Sequence, residues 1–481
     1  MKQLKRARWW AAVGLMLWLP FLAACGGNAS PSASNATATT VAGITAVASA
    51  AATVSPVSPV ASASPALTTT SAPATTDTAT TSAEPSATGE ATTSVATTDT
   101  TITTTASAAT ATTGSPAPAS TTQTAPLGSK SQLEYGVVAH LYYTDRDRVL
   151  TLAGFGNFDW IRQQVPWKDT EKADHTCGCE ELDQIVDAVS NKHKKLLLSI
   201  VKAPDFATGH KGDNGMPQDP QSFARFVSLL LNRYKGKVQA IEVWNEQNLA
   251  VENAGHVTPA DASRYVELLK AGYTAIKAID PSVIVVAGGL SSTGVNDPAI
   301  AVADGDYLKA MYAYHNGEIK NYFDVQGFHP SDTLHSPDEK FGEPSTTKPL
   351  GAGWDNSTTH YFRHIEDVRA VMEQAGIGDH KIWITEMGWA TKNTTLGYEY
   401  GNDISQEQQA EFLEGALQRI KDNYDYVGAA FIWNLNFAIP WTQQGNSLHE
   451  QASFGLLNGD WSPRPAFTRV QGFISKAKSG Q

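Results

Sequence analysis

Two glutamates stand where apolar segments of the chain come to an end. Glu246 closes the run IEVWNE, and Glu386 closes the run IWITE. Nothing local pairs with either carboxylate, and a lone buried carboxylate is costly. Their occurrence at two separate strand ends, each flanked by Trp, argues against two surface or salt-bridged glutamates. Glycoside hydrolysis requires at least two carboxyl groups that face one cavity. One is protonated and donates to the leaving oxygen, and the other is ionised and attacks carbon or activates water.

Eight short apolar runs precede or contain these positions and predict eight strands. Several runs are continuous rather than alternating, such as LLLSIV and VIVVAGG, which is typical of parallel strands buried on both faces. They start about 42 residues apart on average, which leaves room for a helix in each crossover. The predicted strands are 135–143, 158–167, 195–201, 240–246, 283–290, 323–330, 381–389 and 427–435.

Helical patterns between the runs complete the prediction of an α/β fold. Apolar residues follow helical spacing at 180–193, 220–234, 259–279 and 406–424, with Thr258 and Ser405 as caps for the last two. Eight strand–helix units in about 350 residues fit a (β/α)8 TIM barrel, whose active site lies at the C-terminal ends of the strands. A doubly wound sheet is the alternative, weakened by the lack of a GxGxxG or Walker loop after the first strand.

The motifs around the two glutamates carry a family resemblance. WNEQN at 244–248 and ITEMGW at 384–389 resemble the signatures of clan A glycoside hydrolases, with family 39 the closest pattern and family 5 next. The resemblance covers 130–481 and implies that Glu246 is the acid/base and Glu386 the nucleophile of a retaining O-glycosidase. Two departures bear on the family: Gln247 stands where Pro is usual, and Pro330 follows the sixth-strand His where many relatives carry Tyr.

Further candidates for substrate binding lie at other strand ends. Asn245 suits a sugar 2-hydroxyl, or caps the following loop. Trp433 ends the eighth run and suits stacking on a sugar face, and Trp389 is either a subsite residue or a core residue. The resemblance implies that Arg162 in the second strand keeps the nucleophile ionised. Two histidines at strand ends, His140 and His329, suit sugar hydroxyls or Glu386.

The N-terminal part of the chain has a different composition. Residues 1–25 have a basic start, an apolar run and the ending Leu22-Ala23-Ala24-Cys25, which is similar to a bacterial lipoprotein signal and predicts lipidation of Cys25. The alternative is that this segment is not cleaved and remains as a membrane anchor. Residues 26–129 are rich in Thr, Ser, Ala and Pro and predict a disordered extracellular linker. Residues 130–481 form the predicted catalytic domain, outside the cytoplasm and attached to the membrane only through the lipid.

The composition of the chain limits the kinds of partner and metal site that it can have. The net charge is −12, and removal of the basic leader makes it more negative, which argues against nucleic acid as a partner. The three cysteines are too few for a disulfide scaffold or a four-Cys zinc site. Cys177 and Cys179 are expected to be free thiols or a local disulfide. We expect no metal and no cofactor.

Three other functions compete with a retaining glycosidase. A non-catalytic carbohydrate-binding barrel would more typically have lost one glutamate. A metal-dependent hydrolase would need a His-x-His or carboxylate cluster at strand ends, which the sequence lacks. A transglycosylase would use the same site. The sugar, its linkage, endo or exo action and the oligomeric state stay open, because substrate choice lies in loops.

Overall fold

A computed structural model describes residues 133–330, 333–344, 354 and 356–480. Its centre is a closed barrel of eight parallel strands in chain order, with β8 pairing back to β1. This confirms the predicted (β/α)8 TIM barrel. The strands are β1 Glu134–Val138, β2 Trp160–Pro166, β3 Lys195–Val201, β4 Ala240–Val243, β5 Ile284–Ser291, β6 Val325–His329, β7 Lys381–Met387 and β8 Val427–Ile432.

One long helix follows each strand. The eight are α1 Arg146–Phe155, α2 Glu180–Asn191, α3 Pro220–Arg233, α4 Asp261–Ile279, α5 Asp304–Ala313, α6 Ile365–Gln374, α7 Gln406–Asn423 and α8 Pro465–Ser479. The Ser405 side chain caps α7 and completes a capping box with Gln408, as its position predicted. Thr258 does not cap α4, because it lies before the helix and donates to Asp261 instead. Short helical segments decorate the loops.

The core has two parts. Side chains from successive strands fill the barrel interior, including Trp160, Trp383 and Phe431, whose rings contact one another. A larger apolar layer lies between the strands and the helices and contains the stripes predicted for α2 and α3. Because both strand faces are buried, the runs read as continuous rather than alternating.

Most of the predicted strands were too long at their C-terminal ends, although the third ends where predicted and the fifth extends one residue further. The first was expected to reach residue 143 and ends at Val138, and the fourth was expected to reach residue 246 and ends at Val243. The residues beyond these ends, such as Trp244, stay buried although they have left the sheet. The apolar pattern therefore continues into loops that build the C-terminal end of the barrel.

Several sequence predictions concern residues outside the described ones. The leader, Cys25 and the linker 26–129 belong to this group. Within the described ranges, none of the helices has both the length and the apolar character that a membrane span requires. Cys177 and Cys179 are joined by a disulfide, with Cα atoms 5.1 Å apart, which decides between the two states expected for these cysteines.

Candidate active site

A cavity of about 1110 Å³ opens at the C-terminal end of the barrel. Its wall comes from the segments that follow the strands, as expected for this fold. Six of the predicted residues line it: His140, Asn245, Glu246, His329, Glu386 and Trp433. Residues far apart in the sequence therefore meet here, and the backbone N–H of His140 donates to Oδ1 of Asn436, 296 residues away.

The turn after β4 places Glu246 in the cavity. Trp244 and Glu246 adopt φ of 71° and 46°, a left-handed conformation that costs a non-glycine residue roughly 1–3 kcal/mol. The backbone N–H of Glu246 donates to the carbonyl of Gly289 at 2.8 Å, which ties the turn to β5. Gln247, which replaces the expected Pro, is fully buried and donates from Nε2 to the carbonyl of Gly288 at 2.9 Å. It thus anchors the same turn.

Beneath the cavity, Arg162 contacts Glu242, Glu386 and Asn245, and we call these four side chains the polar floor. The Arg162 guanidinium is fully buried and donates from Nε to Glu242 at 2.8 Å, from Nη1 to Glu386 at 2.5 Å and from Nη2 to Asn245 at 2.7 Å. The planar donor set of arginine suits such simultaneous contacts. Arg162 therefore fixes Glu386 and Asn245 relative to each other, and its charge favours the ionised form of Glu386.

The charges of this floor depend on one another. Burial alone would raise the pKa of Glu242, but Arg162 and His329 outweigh it and hold that pKa below its ordinary value. Burial raises the pKa of Glu386, with Glu246 adding to the rise, while His329 and Arg162 oppose it. Glu386 therefore ionises at a higher pH than an exposed glutamate does, and the two cations limit this rise.

His329 connects the two predicted catalytic carboxyl groups. Its Nδ1 lies 3.1 Å from Oε1 of Glu246 and 4.0 Å from Oε2 of Glu386, and its Nε2 lies 3.0 Å from the hydroxyl of Thr385. Burial lowers its pKa, but the two carboxylates outweigh this and raise it. Because one imidazole nitrogen is close to both groups, the carboxyl groups face the same small region of the cavity.

Three other predicted residues line the cavity around this pair. The Oδ1 of Asn245 accepts from Arg162, while its Nδ2 forms no hydrogen bond with any described residue and can meet a ligand. His140 is held through its backbone by Asn436, and burial lowers its pKa to about 4, so it is neutral. Trp433 is half-buried and its ring packs near Phe437, which leaves part of its surface in the cavity.

The structure does not place Trp389 in the site. Its side chain is fully buried, packs near Phe362 and Phe412, and donates from Nε1 to the carbonyl of His335 at 3.1 Å. The structure therefore places Trp389 in the core, the second of the two positions expected for it. The residue lies just past the end of β7, directly after Gly388, which lines the cavity, and its side chain packs into the core.

Several site residues escaped the sequence analysis. Glu242 and Thr385 lie within strands and contact Arg162 and His329. A glutamate inside a strand that is buried on both faces was the available signal for Glu242, because such a charge requires a partner. Glu252 and Lys202 line the cavity from loops after β4 and β3, and only the fold reveals their proximity to Glu246.

Comparisons with known proteins agree with this architecture. No protein-family model and no curated protein sequence matches the chain. A family 39 glycoside hydrolase from Bacteroides cellulosilyticus has a similar structure, with a TM-score of 0.51 at 19% identity over 72% of this chain and 64% of that one. The chain thus spans slightly less than two thirds of that enzyme.

Two further structures are similar in fold. A glucosidase from Croceicoccus marinus has a TM-score of 0.50 at 13% identity, covering 73% of this chain and 69% of that chain. A family 5 glycoside hydrolase of subfamily 18 from Streptomyces cattleya, in complex with Manβ1-4GlcNAc, has a TM-score of 0.51 at 14% identity, covering 73% and 82%. All three neighbours are glycoside hydrolases, and at such identities the likeness is one of fold.

Proposed function

We propose that the protein is a retaining glycosidase acting on a poly- or oligosaccharide. The observation that carries the proposal is the pair Glu246 and Glu386, both in the cavity and both within 4.0 Å of one nitrogen of His329. A carboxyl pair at the C-terminal end of a (β/α)8 barrel has the groups required for acid-assisted glycosidic cleavage. The fold neighbours, all glycoside hydrolases, support the class.

The contacts of Arg162 support a role for each carboxyl group. Arg162 bonds Glu242 and Glu386, and among the described contacts it has none with Glu246. The contact with Glu386 favours the ionised form of Glu386, as the nucleophile requires, and leaves Glu246 as the acid.

The reaction follows from these roles. Glu386 attacks the anomeric carbon while Glu246 gives its proton to the leaving oxygen, and a covalent glycosyl-enzyme forms. Glu246, now ionised, takes a proton from water, and that water displaces Glu386. Asn245 Nδ2 binds the sugar 2-hydroxyl, a contact that strengthens in the transition state. The scheme uses no metal and no cofactor.

A polysaccharide panel tests the proposal. The purified protein is incubated with plant, fungal and bacterial polysaccharides, and products are followed by mass spectrometry. Cleavage that disappears in Glu386→Gln supports the glycosidase. Measurable binding without cleavage favours a carbohydrate-binding barrel, and sugar transfer to an added acceptor favours a transglycosylase.

Glu246→Gln separates the acid role from general damage. Aryl glycosides with good leaving groups need no protonation, so their hydrolysis should keep most of its first-step rate. Hydrolysis of natural glycosides should fall by roughly 10²–10⁴-fold. Because kcat/KM reports the first displacement, kcat/KM on both substrate types checks this, and an equal loss on both would argue against an acid role for Glu246.

The two tryptophans beyond β7 and β8 should behave differently. Trp433→Ala removes a ring that lines the cavity, so we expect KM to rise at least about tenfold with little change in the melting temperature. Trp389→Phe changes only the core and should lower the melting temperature while KM stays the same. Kinetics and thermal unfolding of both variants check the assignment. If KM rose in Trp389→Phe but not in Trp433→Ala, the assignment of the two tryptophans would be reversed.

We propose that the enzyme works outside the cytoplasm. The leader 1–25 with Cys25 and the linker 26–129 support a lipid-anchored catalytic domain at the cell surface. A coil of about 100 residues has a root-mean-square reach of roughly 50–60 Å, which suits a large substrate. Labelling with a radioactive fatty acid that is lost in Cys25→Ser tests the anchor.

A further inference from the structure

We propose that Glu252 is a substrate-binding residue that accepts hydrogen bonds from the hydroxyl groups of a sugar unit bound beside Glu246. This proposal rests on the glycosidase function and adds a specificity-determining contact to it. Glu252 ends the short helical segment Ala250–Glu252 on the loop after β4 and forms part of the cavity wall.

The Glu252 carboxyl has an unmet hydrogen-bonding need. The residue is 7% exposed, and its Oε2 is buried without a hydrogen-bond partner among the residues that the structure describes. Folded proteins rarely keep such an atom, because removing it from water costs free energy that a partner normally offsets. A group from a bound ligand meets this need. A sugar hydroxyl can be that group, because it donates to an ionised carboxylate and also accepts from a protonated carboxyl.

The loop holds Glu252 firmly in this position. The Nδ2 of Asn253 donates to the carbonyls of Gln247 and Leu249 at 2.7 and 2.8 Å, and Trp244 donates from Nε1 to the carbonyl of Glu252 at 3.2 Å. The backbone of Ala250 is tied to Ile300 at 2.9 Å. The missing partner is therefore not a consequence of a loose loop, and the carboxyl is positioned before any ligand arrives.

Charged groups of the cavity lie near the Glu252 carboxyl. Burial raises the pKa of Glu252 to about 7, with Glu246 and Glu386 adding to the rise, while Lys202 opposes it. Lys202 follows β3 with φ of 60° and lines the same cavity, yet within the described ranges it forms no ion pair with Glu252.

The first test uses the free protein and the variant Glu252→Gln. Because folding raises the pKa of this carboxyl, the protein loses stability as pH rises from the ordinary glutamate value to about 7. Glutamine removes that loss. We expect the variant to melt roughly 2–5 °C higher than the parent at pH 8 and at the same temperature at pH 4. A lower melting temperature at pH 8 would show that the carboxylate is a structural partner and overturn the proposal.

The second test measures binding without turnover, in the inactive Glu386→Gln background. Calorimetry with cellopentaose, xylopentaose and mannopentaose gives Kd values with and without Glu252→Gln. We expect Kd to rise at least about tenfold for an oligosaccharide that binds. Glu399→Gln is the matched control, because Glu399 lines the same cavity but is exposed and accepts from the backbone of Gly397, so Kd should not change.

The outcomes separate this proposal from the function itself. An unchanged Kd in Glu252→Gln overturns the binding role even when Glu386→Gln is inactive on the polysaccharide panel. If none of the three oligosaccharides binds, a lower melting temperature of Glu252→Gln at pH 8 still overturns the proposal. Polysaccharide hydrolysis by the Glu386→Gln variant would instead contradict the glycosidase mechanism. The melting temperatures of Glu252→Gln would not be affected by that result.

Discussion

Glu386→Gln is expected to abolish hydrolysis of every substrate that the protein cleaves, with a loss of kcat of at least about 10⁴-fold. The amide keeps the shape of the side chain but cannot attack the anomeric carbon. Its carbonyl oxygen can still accept from Arg162, whose contact with Glu386 is 2.5 Å long. Circular dichroism and the melting temperature should therefore show a folded protein. Rates on aryl glycosides and on the natural polysaccharide measure the loss.

A chemical rescue adds a sharper criterion. Glu386→Ala opens space beside the anomeric carbon, and added azide should restore turnover by attacking from the nucleophile side. The product should be a glycosyl azide of inverted configuration, because only one displacement occurs. Glu450→Gln is a suitable control, since Glu450 is another buried carboxyl of the cavity wall and has no contact with Arg162 or His329 among the described residues. Full activity of Glu386→Gln would contradict the proposed mechanism.

Arg162→Met is expected to lower the free energy of unfolding at pH 7 by about 3–5 kcal/mol and to inactivate the protein. The guanidinium and Glu242 are both fully buried, and Glu386 depends on the same cation. Without it, two carboxylates remain in the floor with only His329 to offset them. Urea unfolding followed by fluorescence measures the change, and aryl glycoside hydrolysis measures the activity.

The pH dependence of this loss distinguishes charge from packing. In the parent, the lowered pKa of Glu242 means that its contribution to stability is present above the unfolded-state pKa and is lost as pH falls through the folded-state pKa. In the variant, acid protonates the unpaired carboxylates and relieves the cost. The difference between parent and variant should therefore shrink from pH 7 to pH 4.

An exposed arginine provides the comparison. Arg233 makes two hydrogen bonds to Asp183 on the surface, and Arg233→Met should change stability little at either pH, because water screens the pair. A loss in Arg162→Met that is equal at both pH values would point to packing rather than charge.

Much of the fold could be predicted from the sequence, because parallel strands covered on both faces leave continuous apolar runs. LLLSIV is β3, and the spacing of the runs leaves room for crossover helices. The strand ends could not be located, since Trp244 and Trp389 stay buried in loops that follow the strands. Helix α1 was missed because only Val149, Leu150 and Ala153 of its ten residues are buried, which leaves a weak stripe.

The meeting of Glu246 and Glu386 in one cavity could be predicted because a carboxyl at the end of a buried strand is unusual. The surroundings of the pair could not, because they depend on long-range contacts. Arg162 meets Glu242 across 80 residues and Glu386 across 224. Likewise, His329 contacts Glu246 more closely than Glu386, although the sequence suggested the latter or a sugar. Local patterns carry no information about which side chains meet across the barrel.

The stereochemistry of the first product tests the central claim most directly. The purified protein is mixed with a substrate that it cleaves, and the anomeric protons are followed by NMR within the first minutes, before mutarotation. Retained configuration of the released reducing end is the expected result, because Glu386 and then water each invert the anomeric carbon once. An inverted product would contradict the account, since water would then attack directly and Glu386 would act as a base.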